Sequence, residues 1–521
     1  MFLRAGAATA AAAVVTTFPR HGRQQTETAT SSTSQSFGGD PVVALAHIPD
    51  GNDLVTGATA ESIWLGGLCH DTLFMPDTNG DPAPGIAVAP FFNREGFELD
   101  FSVREGVIFP DGSLLTAEDV VASLERIRGM GPNSAQGWRL EHIDAIEIPE
   151  PGTVRLTLTQ PDYSLLGCLG SSTIPVLPRD IASDLGTYGL PNLPPGTGPF
   201  VPGSIPDAET YEFGRNGSFW QIGRPRLDGL TVTSVTEDTQ RTISLVTGSV
   251  DIVIDAPLLD IKSLKQDPNI TLVGGPSVRA CVVILNVVEG GMADRRVRKL
   301  LSEAINRSAL VQAATGGEGS PEQTLFPKAT WPGLDQPPPD TDWDKTRKDM
   351  MALGYTAGLP LRLITSEQDG SSANAAVLLQ EQLGNAGFSV TLDLLDAAAL
   401  ERTLTTRQYD LYIMNTPGWT DPHELVRPLL MSDGPGNLMG YRSARVDSLI
   451  RQAVMVETQD DRATIYQQLQ TVLLDEVPLI VLFFPNYYDA MSARVKDYGW
   501  YPPVHAYGLR TAWMEPPTPS S

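Results

Sequence analysis

The sequence has few cysteines and few histidines. Its 521 residues include three cysteines, Cys69, Cys168 and Cys281, whose wide spacing forms neither a disulfide framework nor a Cys-x-x-Cys zinc site. One bridge plus a free thiol is open, and three buried thiols are the simpler prediction. None of the six histidines belongs to a His-Glu-x-x-His motif or a close pair. We therefore expect neither a protein-built metal site nor a cofactor.

Basic side chains are also scarce. The 37 Lys and Arg residues stand against 62 Asp and Glu, which gives a formal net charge of −25. This charge would repel a phosphate backbone, so nucleic acid is excluded as a partner. The sequence lacks a Gly-x-Ser-x-Gly elbow, a Walker A loop and a dinucleotide fingerprint, which argues against an enzyme. A glycosidase pair of carboxylates stays open, because acidic residues are plentiful.

No hydrophobic run is long enough to cross a membrane, which takes about 20 residues. Residues 5–15 form a short run of small apolar side chains with the length of an export-signal core. Phe2-Leu3-Arg4 matches the end of a twin-arginine signal, Arg-Arg-x-Phe-Leu-Lys/Arg, so we expect an arginine pair upstream. A degenerate or absent signal is the alternative. We expect an exported protein, in the periplasm or on the outer face of the cell membrane.

A polar segment follows the apolar run. Residues 19–40 are rich in Thr, Ser and Gln and have almost no apolar side chains, which is typical of a flexible tether. We therefore assign residues 1–36 to an export-signal remnant and a tether, and expect the folded part to follow.

Residues 97–126 contain the clearest local pattern in the chain. Apolar and polar side chains alternate over residues 97–103, which predicts a strand with one buried face. Residues 107–109 resume the strand, and Pro110-Asp111-Gly112 is a turn sequence. Thr116 and Asp119 then form a helix start signal of the capping-box type. The stretch predicts strand, turn, strand, turn and helix.

Further along, strand and helix patterns alternate. Residues 359–414 predict a β-α-β-α-β run, and hence a parallel sheet with right-handed crossovers. Residues 294–311 predict one amphipathic helix. The other predicted elements are strands at 42–48, 154–159, 281–286 and 479–484, a helix or helix-turn at 61–74, and helices at 444–456 and 461–475.

Several motifs resemble those of one protein family. Residues 101–123 read Phe-x-Val-Arg-x-Gly-Val-x-Phe-x-Asp-Gly-x-x-x-Thr-Ala-x-Asp-Val-x-x-Ser, and residues 196–200 read Gly-Thr-Gly-Pro-Phe. Arg215-Asn216-x-x-Phe-Trp and the helix at 294–311 add further matches. This pattern resembles the family 5 extracellular solute-binding proteins, the dipeptide-, oligopeptide- and nickel-binding components of ABC importers. Pro110 departs from it, since relatives often carry His there.

The resemblance implies an α/β, two-lobed periplasmic-binding-protein-like fold of type II. Lobe I would comprise residues 37–277, completed by residues 486–515, and would contain the extra subdomain of the peptide-binding class at about 82–189. Lobe II would comprise residues 278–485. A small-molecule or peptide ligand would be held between lobes that close about a hinge. The partner would be the permease of an ABC importer, and the protein would be a monomer.

The segment 409–425 is the first candidate for ligand contact. It follows a predicted parallel strand, and open α/β sheets bind ligands at the carboxyl ends of such strands. In peptide-binding relatives an Asp of this segment pairs with the ligand's α-amino group and a Trp packs on the ligand. Here the segment is shortened to Trp419-Thr420-Asp421-Pro422. Asp421 is therefore either the amine-binding Asp or the helix-capping Asp of Asp-Pro.

Five further residues are candidates because of their positions near predicted strand ends and lobe crossovers. They are Asn415, Asn286, Tyr487, His47 and Arg279, the last of which could meet a carboxylate. The expected ligand is a peptide. A sugar or a metal chelate is the alternative ligand, and a sensory receptor or a hydrolase on the same fold is the alternative function.

Overall fold

The computed structural model describes most of the chain beyond the polar tether. The described residues are 37–48, 54–55, 59–131, 134–184, 193–207, 209–502 and 505–516. The predicted export signal and the proposed upstream arginine pair lie outside them. Within the described ranges, no helix is both long enough and apolar enough to cross a membrane. Cys69, Cys168 and Cys281 are all buried free thiols, as expected.

The strands and helices of the described residues follow each other in a mixed order. In chain order the strands are β1 (Val42–Leu45), β2 (Phe74–Pro76), β3 (Pro82–Pro84), β4 (Ala87–Phe92), β5 (Glu98–Val103), β6 (Ile143–Glu147), β7 (Thr153–Leu158), β8 (Phe200–Pro202), β9 (Thr210–Arg215), β10 (Gly229–Ser234), β11 (Ile252–Val253), β12 (Ile270–Pro276), β13 (Cys281–Leu285), β14 (Gly319–Ser320), β15 (Leu359–Ser366), β16 (Phe388–Leu395), β17 (Leu411–Asn415), β18 (Leu479–Ser492), β19 (Val495–Lys496) and β20 (Trp513–Met514). The helices are α1 (Ala60–Cys69), α2 (Ala117–Gly129), α3 (Leu165–Cys168), α4 (Arg179–Ala182), α5 (Asp238–Thr247), α6 (Ile261–Leu264), α7 (Arg295–Glu303), α8 (Arg307–Thr315), α9 (Trp343–Ala352), α10 (Gly370–Asn385), α11 (Ala397–Thr405), α12 (His423–Leu430), α13 (Ala444–Val454) and α14 (Gln459–Glu476).

One sheet contains strands from both halves of the described chain: β8 to β11 with β1 form one half of it, β13 with β15 to β17 form the other, and β18 joins them. Its order is β16-β15-β17-β13-β18-β11-β1-β10-β9-β8, and β12 and β14 also pair with β18. The first part of β18 pairs with β13, and its second part pairs with β11 and β12. The ladder changes partner near Pro485, which stands opposite Gly319 of β14. The predicted strand 479–484 therefore continues to Ser492, past a proline that donates no ladder hydrogen bond.

The predicted β-α-β-α-β run is confirmed. β15 pairs in parallel with β16 and with β17, and α10 and α11 lie on the two crossovers. Alternate residues of β13 enter two different cores, Val283 and Leu285 on one face and Val282 and Ile284 on the other. This half of the sheet is therefore covered on both faces, as parallel α/β sheets are.

A smaller antiparallel sheet follows the first strands of the chain. Its order is β4-β5-β7-β6, and α2 packs on it. The predicted start of α2 is confirmed, because the Asp119 carboxylate accepts from the backbone N–H of Thr116 at 2.8 Å. The predicted strand 107–109 is wrong. This stretch forms only an isolated bridge between Ile108 and Leu114.

Two predicted helices are shorter in the structure. The single helix expected over residues 294–311 is two helices, α7 and α8, because Asn306 caps α8 by accepting from the Ala309 N–H at 3.0 Å. Of the helix or helix-turn expected over 61–74, the helix ends at Cys69, and the chain turns at His70 into the segment that leads to β2. Local capping and turn chemistry overrode the apolar spacing at both places.

Candidate functional site

The carboxyl end of β17 carries a polar group of side chains. Asn415, the last residue of β17, donates from Nδ2 to Asp369 Oδ2 at 2.9 Å and to Ser371 Oγ at 3.0 Å. Asp369 caps α10 by accepting from the Ser372 N–H at 3.0 Å. The Asn415 Oδ1 atom is buried and has no hydrogen-bond partner among the described residues. Asn415 therefore lies at the strand end where the sequence predicts a ligand contact, and its Oδ1 atom could accept a hydrogen bond from a ligand.

A second polar group lies where the sheet passes from one half to the other. Arg279 Nη1 is 3.2 Å from Asp255 Oδ2, and its guanidinium lies over the Tyr487 ring, 5.5 Å from the centroid. Asp255 follows β11 in a left-handed conformation with φ of 52°. Its side chain keeps 50% of its surface exposed, although surrounding protein raises its pKa against the opposing effect of Arg279. Solvent therefore reaches this carboxylate.

The two groups act on each other electrostatically. The charge of Asp369 contributes to raising the pKa of both Asp255 and Arg279. The start of α5 also approaches the start of α10, where a Cβ added to Gly370 would lie 3.0 Å from Asp238 Oδ2. We call Asp255, Arg279, Asp369, Asn415 and Tyr487 the junction group. It combines side chains from both halves of the sheet.

A buried carboxylate stands behind the junction group. Asp489 of β18 is fully buried, accepts from Tyr498 Oη at 2.7 Å, and accepts from the Asp255 N–H at 3.2 Å. Burial raises its pKa to about 7, against the lowering effect of the Tyr498 hydroxyl. Asp489 therefore titrates near neutral pH directly beside the backbone of Asp255.

The Trp419-Thr420-Asp421 segment has a different setting. Asp421 Oδ1 accepts from Arg462 Nη2 at 2.8 Å and from the His423 N–H at 2.9 Å, and both ionised side chains are buried. Thr420 donates its backbone N–H to Glu424 Oε1 at 3.0 Å. The charge of Asp421 is therefore balanced inside the protein, and its second contact supports the first turn of α12.

Trp419 is part of the same buried region. Its ring packs edge-on against Phe326 at 5.4 Å between centroids, and its side chain is almost fully buried. The indole Nε1–H has no hydrogen-bond partner among the described residues. Packing in the core therefore fixes the position of the Trp419 ring, and its indole N–H is left without a hydrogen-bond acceptor among the described residues.

Asn286 and His47 lie apart from the other candidates. β13 pairs Cys281 with Asn415, so Asn286 follows the opposite end of β13. Its Nδ2 donates to the Tyr409 carbonyl at 3.1 Å, which gives it a structural contact. His47 is exposed just after β1 and has no hydrogen bond within the described part of the chain.

The structure therefore brings together Asn415, Arg279 and Tyr487 from the predicted set. Sequence reasoning missed Asp255 and Asp369. Asp369 follows β15, and the strand-end rule that selected residues 409–425 would have found it if applied to the preceding parallel strand. Asp255 gives no comparable signal in the sequence. It comes near Arg279 only because β18 pairs both with β11, which precedes Asp255, and with β13, which follows Arg279.

Residues 137–142, which lead into β6 of the small sheet, contact α12 through ion pairs. Arg139 Nη1 lies 2.5 Å from Glu424 Oε2, and Arg427 makes two parallel contacts of 2.7 Å with the carboxylate of Glu141. We call these four residues the subdomain clasp. Fork-to-fork pairs of this kind are directional, so the clasp fixes α12 against residues 137–142.

A histidine lies at each side of the clasp. His142 Nδ1 is 2.7 Å from Asp162 Oδ2, and its pKa is raised because Asp162 and Glu141 outweigh the effect of burial. Burial lowers the pKa of His423, on α12, to about 4. At neutral pH His423 is therefore neutral inside this contact.

Comparison with known proteins agrees with this architecture. The model of the bacterial extracellular solute-binding proteins, family 5 Middle, matches residues 81–437. The probable D,D-dipeptide-binding periplasmic protein DdpA of Escherichia coli (strain K12) is 26% identical over 421 residues, which cover 78% of this chain and 80% of that protein. The glutathione-binding protein GsiB of Salmonella typhi is 25% identical over 477 residues, covering 89% of this chain and 91% of that protein.

Solved structures show the same fold. The binding protein AgaA from A. tumefaciens R10, in complex with agropinic acid, superposes with a TM-score of 0.83 at 23% identity, covering 92% of this chain and 99% of that one. DppA from Helicobacter pylori, in complex with the peptide STSA, has a TM-score of 0.83 at 22% identity and the same coverage of both chains. The chain belongs to the bacterial extracellular solute-binding proteins of family 5.

Proposed function

We propose that this chain binds a small peptide or peptide-like solute at the junction group and delivers it to the permease of an ABC importer. The observation that carries the proposal is the junction group itself. It unites side chains from both halves of one sheet around a carboxylate, Asp255, that solvent still reaches.

The proposed lobes meet along β18. Lobe I is residues 37–277 with residues 486–515, and lobe II is residues 278–485. The change of ladder partner near Pro485 supports this division, since β18 pairs with β13 before it and with β12 after it. Closing of the lobes around a solute is a population shift, so a solute stabilises the closed form only as far as it binds that form better.

The charges of the junction group fit a zwitterionic solute. Two carboxylates, Asp255 and Asp369, stand against one guanidinium, Arg279, which leaves one negative charge in excess. A charge taken out of water needs a partner, so the ammonium end of a solute would lie toward Asp255 and Asp369. Its carboxylate end would lie toward Arg279. Asn415 Oδ1 would add a hydrogen-bond acceptor for an N–H group.

A solute other than a peptide is the second candidate. Asp421 supports it, because pairing with Arg462 leaves this carboxylate no free charge for a peptide amino group in the 419–421 segment. The structural relative AgaA holds agropinic acid, so the fold accepts such a ligand in that protein. A sugar or a metal chelate belongs to the same class of alternatives. In either case we infer binding without chemical turnover.

The cellular setting is inferred from the family. The relative from Escherichia coli is named a periplasmic protein. We infer that this chain is exported through a twin-arginine signal, acts in the periplasm or on the outer face of the membrane, and is a monomer. A sensory receptor of the same fold would be distinguished by its failure to support uptake with a permease.

The first experiment is native mass spectrometry of the protein as purified, followed by mild release of any bound molecule. Peptide masses would support the peptide proposal, and another solute would support the second candidate. If the protein is empty, a melting-temperature screen with short peptides follows. The absence of any shift across peptides would overturn the peptide proposal and direct the screen to sugars and metal chelates.

A further inference from the structure

A cavity of about 370 Å³ lies in the half of the chain that contains β13, and it shares no lining residue with the junction group. Its walls come from α7, α8, α14, the start of β18 and the segment 323–339. The lining is mixed: Leu325, Leu473, Leu474 and Pro337 are apolar, and Gln323 and Gln470 are polar. The volume is within the range of small-molecule sites in proteins.

Arg307 is the unusual member of this wall. The first residue of α8, it is only 3% exposed, and no carboxylate among the described residues lies within ion-pair distance of it. Its five N–H groups make three contacts, to the Val481 carbonyl at 2.8 Å, the Ser302 carbonyl at 3.3 Å and the Ser302 hydroxyl at 3.1 Å. Two N–H groups are therefore left, and all three partners are neutral.

The charge of Arg307 is costly where it lies. Burial lowers its pKa to about 10, and no neighbouring charge acts on it. Every other ionised side chain of the cavity wall is already paired at the surface: Lys299 lies 2.6 Å from Asp475 Oδ1, and Glu303 lies 3.3 Å from Lys345 Nζ. A buried ion without a partner is unfavourable, and a guanidinium pairs best with a carboxylate that takes two parallel N–H bonds. The unbalanced charge of the cavity is thus positive.

We propose that this cavity binds a small organic anion, a carboxylate with a short apolar chain, through the guanidinium of Arg307. The carboxylate neutralises Arg307 and takes its two remaining N–H groups. The chain lies against Leu325, Leu473 and Leu474. This site is separate from the proposed solute site and does not depend on it.

The test is isothermal titration calorimetry of the purified protein with hexanoate as the probe, and with 1-hexanol as the uncharged control. We expect hexanoate to bind and hexanol to bind at least about tenfold more weakly, because the charge pair is the main attraction. Leu474→Glu places a carboxylate in the half-buried wall, so hexanoate affinity should fall by about tenfold or more, whereas Leu474→Gln keeps it. Absence of hexanoate binding to the wild-type protein would overturn the proposal.

Two further variants guard the interpretation. Gln336 is exposed at the cavity rim and its side chain makes no hydrogen bond within the described ranges, so Gln336→Glu should weaken hexanoate about threefold without harm to folding. This variant decides the question if Leu474→Glu fails to fold.

Arg279→Met in the junction group should leave hexanoate binding unchanged. Loss of binding in Arg279→Met, or no effect of either glutamate, would place the anion elsewhere and reject the site. Loss of solute binding in Arg279→Met with hexanoate binding intact would separate the two sites.

Discussion

Two groups of charged side chains join distant parts of this chain, and they differ in how charge is balanced. In the subdomain clasp two buried arginines stand against two acids, Arg139 with Glu424 and Arg427 with Glu141, at 2.5–2.7 Å. Arg427 also reaches Asp433 at 3.2 Å, but that side chain is mostly exposed. In the junction group two acids share one arginine, and the closest approach is 3.2 Å.

The difference separates a contact from a binding site. Paired charges that are mostly buried hold two surfaces together and leave nothing for a solute. An excess acid that water can reach is hydrated in the free protein, and once a solute covers it, a cation or an ammonium group is needed to balance its charge. Proximity of charged residues alone would have assigned the same role to both groups. They differ because each acid of the clasp has a close arginine partner, whereas Asp255 and Asp369 have only Arg279 between them in the junction group.

The largest effect should come from breaking one side of the clasp. Arg139→Met leaves Glu424 charged and buried, and removal of one partner from a buried pair costs about 3–5 kcal/mol of the free energy of unfolding. Urea denaturation followed by far-ultraviolet circular dichroism measures it. The double variant Arg139→Met/Glu424→Gln should recover part of the loss. Equal stability of Arg139→Met and the wild-type protein would show that the clasp is not a buried contact.

The next effect concerns the pH dependence of Asp489. Burial raises its pKa in the folded protein to about 7, above the ordinary value of 3.8 for an aspartate, so the folded protein binds more protons than the unfolded chain between these pH values. The free energy of unfolding should therefore fall as pH rises from about 4 to about 7, with a contribution from Asp489 of at most about 1.4 kcal/mol per pH unit. Asp489→Asn should remove most of this slope in melting temperatures recorded across that range. An unchanged slope in Asp489→Asn would assign the pH dependence to other groups.

A smaller effect is expected in the junction group itself. Asp255→Asn removes one of the two acids and with it the excess negative charge, so affinity for the solute released from the native protein should fall by about tenfold, or about 1.4 kcal/mol. Stability should change little, because relief of the cost of burying Asp255 and of its repulsion by Asp369 is set against the lost pairing with Arg279. Calorimetric titration measures the affinity. Asp344→Asn, an exposed acid on α9, is the matched control and should change neither quantity. Equal losses in both variants would mean that only net charge matters.

The smallest effect is expected at the surface. Lys345 is 58% exposed and pairs with Glu303 at 3.3 Å, so Lys345→Met should cost under about 1 kcal/mol of unfolding free energy. Raising the salt concentration should remove most of that difference, since exposed pairs are screened. A loss as large as that of Arg139→Met would erase the distinction between the clasp and an ordinary surface pair.

Much of the fold followed from local patterns in the sequence. The β15–β17 region was predictable because each strand and helix has its own periodicity, and two parallel crossovers then follow from topology. The division of residues 294–311 into α7 and α8 was missed because both helices share one apolar spacing, and only the cap at Asn306 separates them. The extension of β18 past Pro485 was missed because a proline usually ends a ladder.

The site was less predictable than the fold. The position of Asn415 at the end of a parallel strand was predictable because it follows from a local pattern, and its role as a ligand contact stays a prediction. Asp421 stayed ambiguous because its partner, Arg462, is 41 residues away on α14, and the sequence does not indicate that pairing. The junction group depends on which strands meet along β18, so a residue such as Asp255 becomes a candidate only when the sheet order is known.

The path of β18 also bears on how the protein unfolds. One continuous strand pairs with β13 along its first part and with β12 along its second part. A Cβ at Gly274 would lie only 2.0 Å from the Tyr487 carbonyl oxygen. Neither half of the sheet can lose this strand without exposing the backbone of the other half to water. The two halves are therefore expected to melt in a single cooperative transition, so that protection of β18 amides against hydrogen exchange reports the stability of the whole folded unit.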